Sequence, residues 1–295
     1  MYSKLTPEAE NWLNRLPPVQ PMNRTIHVFI YGIGRSGTSI VSRILSAHPS
    51  AIYFHEPFLP KIKLSGVQWE HPHLDIYERL YNCNFSGIIP DLPMYHWKNS
   101  VPFSVWPYVE FLFGMKLAPM VTPVVFSRLV RNEAFMEKHC SKYSIRVIKE
   151  PDRMPIEDLS PLLNDFPDLK VIHVWRNPVD LFRARSDEVW CCGSCKNITH
   201  LCKTTEDMLG RSFEFSKSFP NRYINVHFDD ILRNPREVID ALISHLEIPP
   251  HQSIEDFAEK MLRRNIPPAS TSDLPPLCQN AAERLEWHRR NTTLV

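Results

Sequence analysis

Residues 26–31, IHVFIY, form a short apolar run that stops at glycines, the pattern of a strand buried on both faces. Residues 38–48 follow with Ile40, Val41, Ile44 and Leu45 on one helical face and Pro49 just beyond the end, which predicts an amphipathic helix. AIYF at 51–54 reads as a second strand, and it delivers His55, Glu56 and Pro57 at its carboxyl end. The order of apolar run, charged residue and proline recurs in SIRVIKEP at 144–151 and LKVIHVWRNP at 169–178. RYINVHFDDIL at 222–232 repeats it with aspartates. Helical patterns such as PVDLFRARSDEVW and NPREVIDALISHLEI alternate with these runs. The alternation predicts an α/β fold, a single domain with a central parallel sheet flanked by helices. Ligands of such sheets bind beyond the carboxyl ends of the strands, where Gly32 to Ser39, Glu56, Lys149 and Arg176 all fall.

The expected division is an N-terminal extension at 1–25 and one domain at 26–295, with an irregular, aromatic-rich insert at 59–140. The insert has weak periodicity. Its Trp69, His71, His73, Tyr77, Trp97 and Trp106 read either as a wall of an acceptor-binding region or as satellite core, and core is the commoner outcome for such residues. No repeat or low-complexity segment interrupts the chain.

Composition narrows the chemistry. A net charge of +1 over 295 residues provides no broad basic field, which argues against a nucleic-acid partner, so any anion site is local. Proline is abundant at 27 and glycine scarce at 8, yet Gly32, Gly34 and Gly37 fall within six residues. That concentration suits a backbone that approaches something closely. No apolar stretch is long enough to span a bilayer, and the first residues lack the apolar run of a signal peptide.

The compartment is signalled separately. Asn-x-Ser/Thr acceptors stand at Asn23, Asn84, Asn197 and Asn291. Of seven cysteines, Cys191, Cys192, Cys195 and Cys202 crowd into CCGSCKNITHLC. They read as disulfide partners, as free buried thiols, or as a zinc set of Cys192, Cys195, His200 and Cys202. The single residue between His200 and Cys202 fits zinc spacing poorly, and the acceptor asparagines favour disulfides in an oxidising compartment.

The richest stretch is VFIYGIGRSGTSIVSRILSAHP at 28–49. It opens like a P-loop, G-x-x-x-x-G, but continues with Thr38 and Ser39 where a triphosphatase places a lysine. Backbone N–H groups turning into a helix N-terminus form an anion site. The helix dipole supplies only about 0.3–1 kcal/mol, so the amides and Arg35 carry most of the affinity. Without the lysine, the loop suits a nucleotide that has no γ-phosphate, with Gly34, Ser36, Gly37, Thr38 and Ser39 around it.

GRSGTS resembles the 5′-phosphosulfate loop of sulfotransferases, especially the Golgi enzymes acting on carbohydrates and protein tyrosines. VIHVWRNPVDLFRARS is similar to the 3′-phosphate segment of that superfamily, FHEPF to the Glu-Pro element of its carbohydrate branch, and VHFDDILRNP to its R-Y-E-D-L element. The resemblance spans roughly residues 26–58, 144–190 and 220–250, and reaches the C-terminal segment chiefly through Trp287.

It implies a P-loop-like sulfotransferase fold and transfer of a sulfuryl group from 3′-phosphoadenosine 5′-phosphosulfate (PAPS) to a carbohydrate hydroxyl. The expected product nucleotide is 3′-phosphoadenosine 5′-phosphate (PAP), the acceptor a glycan or glycosaminoglycan, and the setting a Golgi or secretory lumen, with no metal required. Arg35 and Glu56 become the catalytic candidates, Glu56 as general base, its alternative being an ion pair that merely orders the site. His55 is the other candidate base, although strand alternation aims it away from whatever Glu56 faces. Arg176 is expected on the nucleotide 3′-phosphate. The family helix carries a serine eight residues after that arginine, where this chain has Ala184, with Ser186 two residues later and about 200° around the helix. Lys149 and Arg153 are further charges near the strand ends, and Asp229 imitates a Walker B aspartate. A tyrosylprotein sulfotransferase, a non-catalytic nucleotide- or glycan-binding relative and a P-loop kinase are the competing readings.

Overall fold

A computed structural model describes residues 19–20, 22–57, 74–88, 132–151, 154–188, 191–262 and 275–291. Along the chain run β1 (Ile26–Gly32), α1 (Thr38–Ser46), β2 (Ala51–His55), α2 (Leu74–Tyr81), α3 (Glu133–Cys140), β3 (Ile145–Pro151), α4 (Ser160–Asp165) and β4 (Leu169–Trp175). Then come α5 (Pro178–Ser186), α6 (Ile198–Ser218), β5 (Tyr223–His227), α7 (Phe228–Arg233), α8 (Pro235–Leu246), α9 (Gln252–Met261) and α10 (Pro276–Asn291). The strands form one sheet in the order β2-β3-β1-β4-β5, with β2 on β3 and β4 on β5 parallel. The expected α/β class holds. β1, β3, β4 and β5 are buried almost end to end, which is why they read as continuous apolar runs.

Contacts divide the chain into two compact units, one within Met1–Phe29, Ser42–Glu150 and Pro161–Leu169, the other within Ile30–Val41, Pro151–Ser160 and Lys170–Val295. In the first, the β2–β3 register sets Tyr53 beside Val147 and His55 beside Lys149. Tyr77 packs edge-on against Phe29 with ring centroids 5.2 Å apart, and the Tyr81 hydroxyl donates to the Val28 carbonyl at 2.9 Å. The stretch expected to be irregular contains, among its described residues, two eight-residue helices, α2 and α3. A Cys83–Cys140 disulfide ties the turn after α2 to the end of α3, and Asn132 caps α3 by accepting from the Phe135 N–H at 2.9 Å. Tyr77 belongs to the core, while Trp69, His71, His73, Trp97 and Trp106 lie outside the described residues.

In the second unit, α6 and α10 are fastened by a Cys202–Cys278 disulfide. α10 buries Cys278, Ala281, Leu285 and His288, a three-four-three spacing that marks one helical face. Between strand and helix lies a polar knot. His173 Nδ1 meets the Tyr223 hydroxyl at 2.9 Å and Ser212 Oγ at 3.0 Å, and Trp175 Nε1 donates to Asn225 Oδ1 at 2.8 Å. A third disulfide joins Cys191 to Cys195, leaving Cys192 free and exposed. The zinc set is thereby overturned, since Cys195 and Cys202 are each oxidised with a different partner. The strand expected within 222–232 ends at His227, just before the aspartates, and the chain continues as α7, with Asp229 and Asp230 in its first turn.

Candidate active site

The loop between β1 and α1 is shaped by what its glycines avoid. A Cβ on Gly32 would stand 2.5 Å from the Val174 carbonyl oxygen, and one on Gly37 would stand 2.3 Å from the Phe228 ring. Both have positive φ, +154° and +107°, so a side chain at either is strained as well as crowded. Inside this turn the Ser36 N–H donates to the Ile33 carbonyl at 2.9 Å, and the Gly37 carbonyl accepts from the Ile40 and Val41 N–H groups at 2.9 and 3.2 Å. Ser36 and Thr38 are buried, Ser39 is half-buried and Arg35 exposed. Arg35 adopts φ +76°, a left-handed conformation that costs a non-glycine residue about 1–2 kcal/mol. Strain of this kind persists where surrounding structure holds it, and such places are often functional.

Arg176 follows the last residue of β4. The next residue, Asn177, caps α5 by accepting from the Val179 N–H at 2.9 Å, and Pro178 starts the helix, so Arg-Asn-Pro ends the strand and begins the helix without slack. Arg176 Nη1 donates to the Arg35 carbonyl at 3.2 Å, and its guanidinium carbon lies 4.9 Å from the centroid of the Phe228 ring. Burial lowers the Arg176 pKa and Arg35 adds to this, while Asp180 and Asp229 oppose it. Burial first, and then the like charge of Asp180, push Asp229 upward. Arg35 itself is held by Glu188 at 3.1 Å.

In the loop and at the end of β4, two buried polar atoms have no hydrogen-bond partner, Ser36 Oγ and Arg176 Nε. An unpaired buried donor costs about 1–3 kcal/mol, so both are poised for a ligand that accepts hydrogen bonds. The Arg35–Glu188 pair is partly exposed and contributes only about 0.2–1 kcal/mol, less than the charge-assisted bonds an oxyanion would form with Arg35. The arrangement fits an anionic ligand on the loop and on Arg176. It does not bring in Ser186, whose hydroxyl donates to the Arg183 carbonyl of its own helix at 3.2 Å, and Ala184 carries no donor.

In the first unit, Glu56 leaves β2 at φ +44°, and its N–H donates to the Lys149 carbonyl at 2.8 Å. Its Oε1 accepts from Lys149 Nζ and lies 3.7 Å from His55 Nε2, while His55 Nδ1 meets the Tyr53 hydroxyl at 2.5 Å. Alternation therefore misplaces His55. It assumes that the strand continues through Glu56, whereas the strand ends one residue earlier and the left-handed turn brings the two side chains together. Lys149 is 3% exposed, and its pair with Glu56 is among the most enclosed in the described residues. Burial, opposed by Ser42 and strengthened by Glu56, raises the Tyr53 hydroxyl far above its ordinary pKa. Arg153 lies outside the described residues.

Neither Phe228 nor Glu188 stands out in the sequence. Phe228 reads as one more apolar residue beside the aspartates, and nothing in the spacing of Glu188 links it to Arg35.

Residues 27–252 match the Sulfotransferase family. Carbohydrate sulfotransferase 4 of Mus musculus is 23% identical over 246 residues, which cover 72% of this chain and 63% of the relative. Carbohydrate sulfotransferase 5 of Mus musculus is 23% identical over 265 residues, covering 78% of this chain and 66% of the relative. The chain thus spans slightly less than two-thirds of the length of these relatives. Among solved structures, mouse sulfotransferase SULT7A1 complexed with PAP is similar at a TM-score of 0.41 and 11% identity, covering 95% of this chain and 80% of that one. With most of its length inside the matched region, the chain belongs to the sulfotransferase family.

Proposed function

We propose that this chain transfers the sulfuryl group of PAPS to a hydroxyl of a glycan or glycosaminoglycan in the lumen of the secretory pathway. The observation that carries the donor is the pair of linked anion grips, the Arg35 loop and Arg176, joined by the bond from Arg176 Nη1 to the Arg35 carbonyl. Two grips suit a nucleotide with phosphates at both the 5′ and the 3′ position. Arg176 takes the 3′-phosphate through a guanidinium whose Nε–H is still unpaired. The loop amides, Ser36 Oγ and the hydroxyls of Thr38 and Ser39 surround the 5′ end, with Gly34 and Gly37 allowing close approach.

When bound, PAPS supplies the sulfuryl group, whose bond to the 5′-phosphate oxygen breaks as the acceptor oxygen takes it. Arg35 and the loop N–H groups stabilise the charge that grows on that phosphate oxygen, a preorganised electrostatic role. Glu56 removes the proton from the acceptor hydroxyl, with Lys149 on Oε1 keeping the carboxylate oriented.

The carbohydrate acceptor is supported by relatives named carbohydrate sulfotransferases. The lumenal setting is supported by three disulfides and by exposed acceptor asparagines at 23, 84 and 197. No described helix is long and apolar enough to cross a membrane.

Thermal unfolding with PAP against ADP at equal concentration tests the donor. Ligand at a hundred times its dissociation constant stabilises by about 2.7 kcal/mol, several degrees in Tm. A shift with PAP and little with ADP is expected. A shift with ADP alone points to a kinase, and none with either removes the donor assignment in favour of a relative that binds no nucleotide.

A further inference from the structure

Phe228 has no polar atom on its side chain, yet it touches both halves of the nucleotide grip. It opens α7 and is 5% exposed. Its ring crowds Gly37, where a Cβ would fall 2.3, 2.9 and 3.0 Å from three ring carbons. The Arg176 guanidinium rests over the same ring at 4.9 Å. Arg176 is also tied to the loop by the 3.2 Å bond from Nη1 to the Arg35 carbonyl. The arginine is thus held both by a carbonyl of the loop and by an aromatic face that also touches the loop.

A free arginine side chain has many rotamers, and fixing one before the ligand arrives lowers the entropic cost of binding. Only contacts that hold the planar guanidinium in one orientation allow it to present two aligned donors to a phosphate. Phe228 supplies such a contact in a setting where burial makes a cation–π interaction stronger than at an exposed site.

Resting on the donor assignment proposed above, we infer that Phe228 is a positioning residue for the 3′-phosphate. Its ring sets Arg176 and the 5′ loop in one fixed relation and thereby gives the site its preference for a nucleotide phosphorylated at the 3′ carbon. The role is exerted through Arg176, so removing the ring costs the 3′-phosphate contact more than it costs the 5′ contacts.

Isothermal titration of the whole chain with PAP and with adenosine 5′-phosphate measures this directly, because the two ligands differ only in the 3′-phosphate. The wild-type chain is expected to favour PAP by about 10- to 100-fold, the range for a charge-assisted contact. In F228A this ratio falls to within about threefold. F228Y keeps the ring and restores the ratio, while F228L keeps the bulk but not the π face and stays low. If Phe228 were only packing, F228A would weaken both ligands equally and leave the ratio at its wild-type value, which overturns the proposal. Should F228A not fold, F228L carries the same decision: an unchanged ratio there rejects the role. A wild-type chain with no preference for PAP would instead remove the donor assignment and this inference with it, and that outcome is visible before any variant is made.

Discussion

Glu56 and Lys149 form a pair in which each residue's charge depends on the other. Lys149 is 3% exposed and Glu56 accepts its ammonium on Oε1, so Glu56→Gln leaves a buried cation without its counter-charge. The expected kinetic result is a fall in kcat of about 10²–10⁴, the usual contribution of a positioned base, with the PAP dissociation constant nearly unchanged. Normal turnover would end the candidacy of Glu56 as base. Stability separates this from collapse of the site: the double variant E56Q/K149M, which removes both charges, is expected to recover most of the melting temperature lost in E56Q while remaining inactive. Gly37 provides the matching test on the donor side. Gly37→Ala sets a Cβ 2.3 Å from the Phe228 ring at φ +107°, so nucleotide binding should fall by at least tenfold in a titration with PAP. An unaffected affinity would mean that the loop relaxes without cost.

At the scale of elements, α5 is where the chain departs from its family. Ala184 carries no donor and the Ser186 hydroxyl is engaged with its own helix, so Ala184→Ser is expected to tighten PAP several-fold and to leave adenosine 5′-phosphate unchanged. Equal changes for both would show that position 184 does not face the 3′-phosphate. α6 and α10 raise a different question, because their disulfide closes a separation of 76 residues while Cys191–Cys195 closes only 4. Chain entropy makes the long link worth about 4–5 kcal/mol and the short one about 2 kcal/mol. Replacing Cys202 and Cys278 by serine should therefore lower the midpoint of chemical denaturation clearly more than the same change at Cys191 and Cys195.

These elements also show how far the sequence could be read. Strands buried on both faces announce themselves as apolar runs, and the glycine loop, the Arg-Asn-Pro junction and Glu56 were legible because each is a local pattern. α2 and α3 were not, since eight residues give barely two turns of periodicity and their order comes from a disulfide and an asparagine cap. α10 carried its signal in Cys278, Ala281, Leu285 and His288, but only Leu285 is a large aliphatic residue and His288 is not a typical core residue. The approach of His55 to Glu56 depends on one backbone angle, which no side-chain pattern encodes.

For the molecule as a whole, buried histidines set the response to acid. Burial, aided by Lys142, lowers His139 to about 3, and burial, aided by His288 and Arg289, lowers His227 to about 3. Burial, with Arg146 adding to it, lowers His27 to about 4, and burial also holds His173 well below its ordinary value, with His288 and His227 adding to the effect. In each case the folded state binds its proton less readily than the unfolded chain, whose histidines titrate near 6.5. The unfolded state therefore holds more protons below that pH, so stability is intact above it and is lost as pH falls toward 3–4. A fully buried histidine of this kind costs up to about 1.4 kcal/mol per pH unit in that window. Glu286, lowered to about 2 mainly by its bond to Arg289, adds a loss of the same sign that sets in as pH falls through the ordinary carboxylate range. The melting temperature should consequently decline steadily from about pH 6.5 to 4.5. His139 is the cleanest test, because it is 3% exposed between Phe135 and Tyr143 and its Nδ1 has no partner, so a phenyl ring replaces it without stranding a hydrogen bond at that nitrogen. His139→Phe should leave stability near neutral pH almost unchanged and reduce the acid slope by about one proton, read from denaturant midpoints measured across the same pH range. An unchanged slope would mean that His139 is as easily protonated folded as unfolded, and the acid response would then have to arise from the carboxylates.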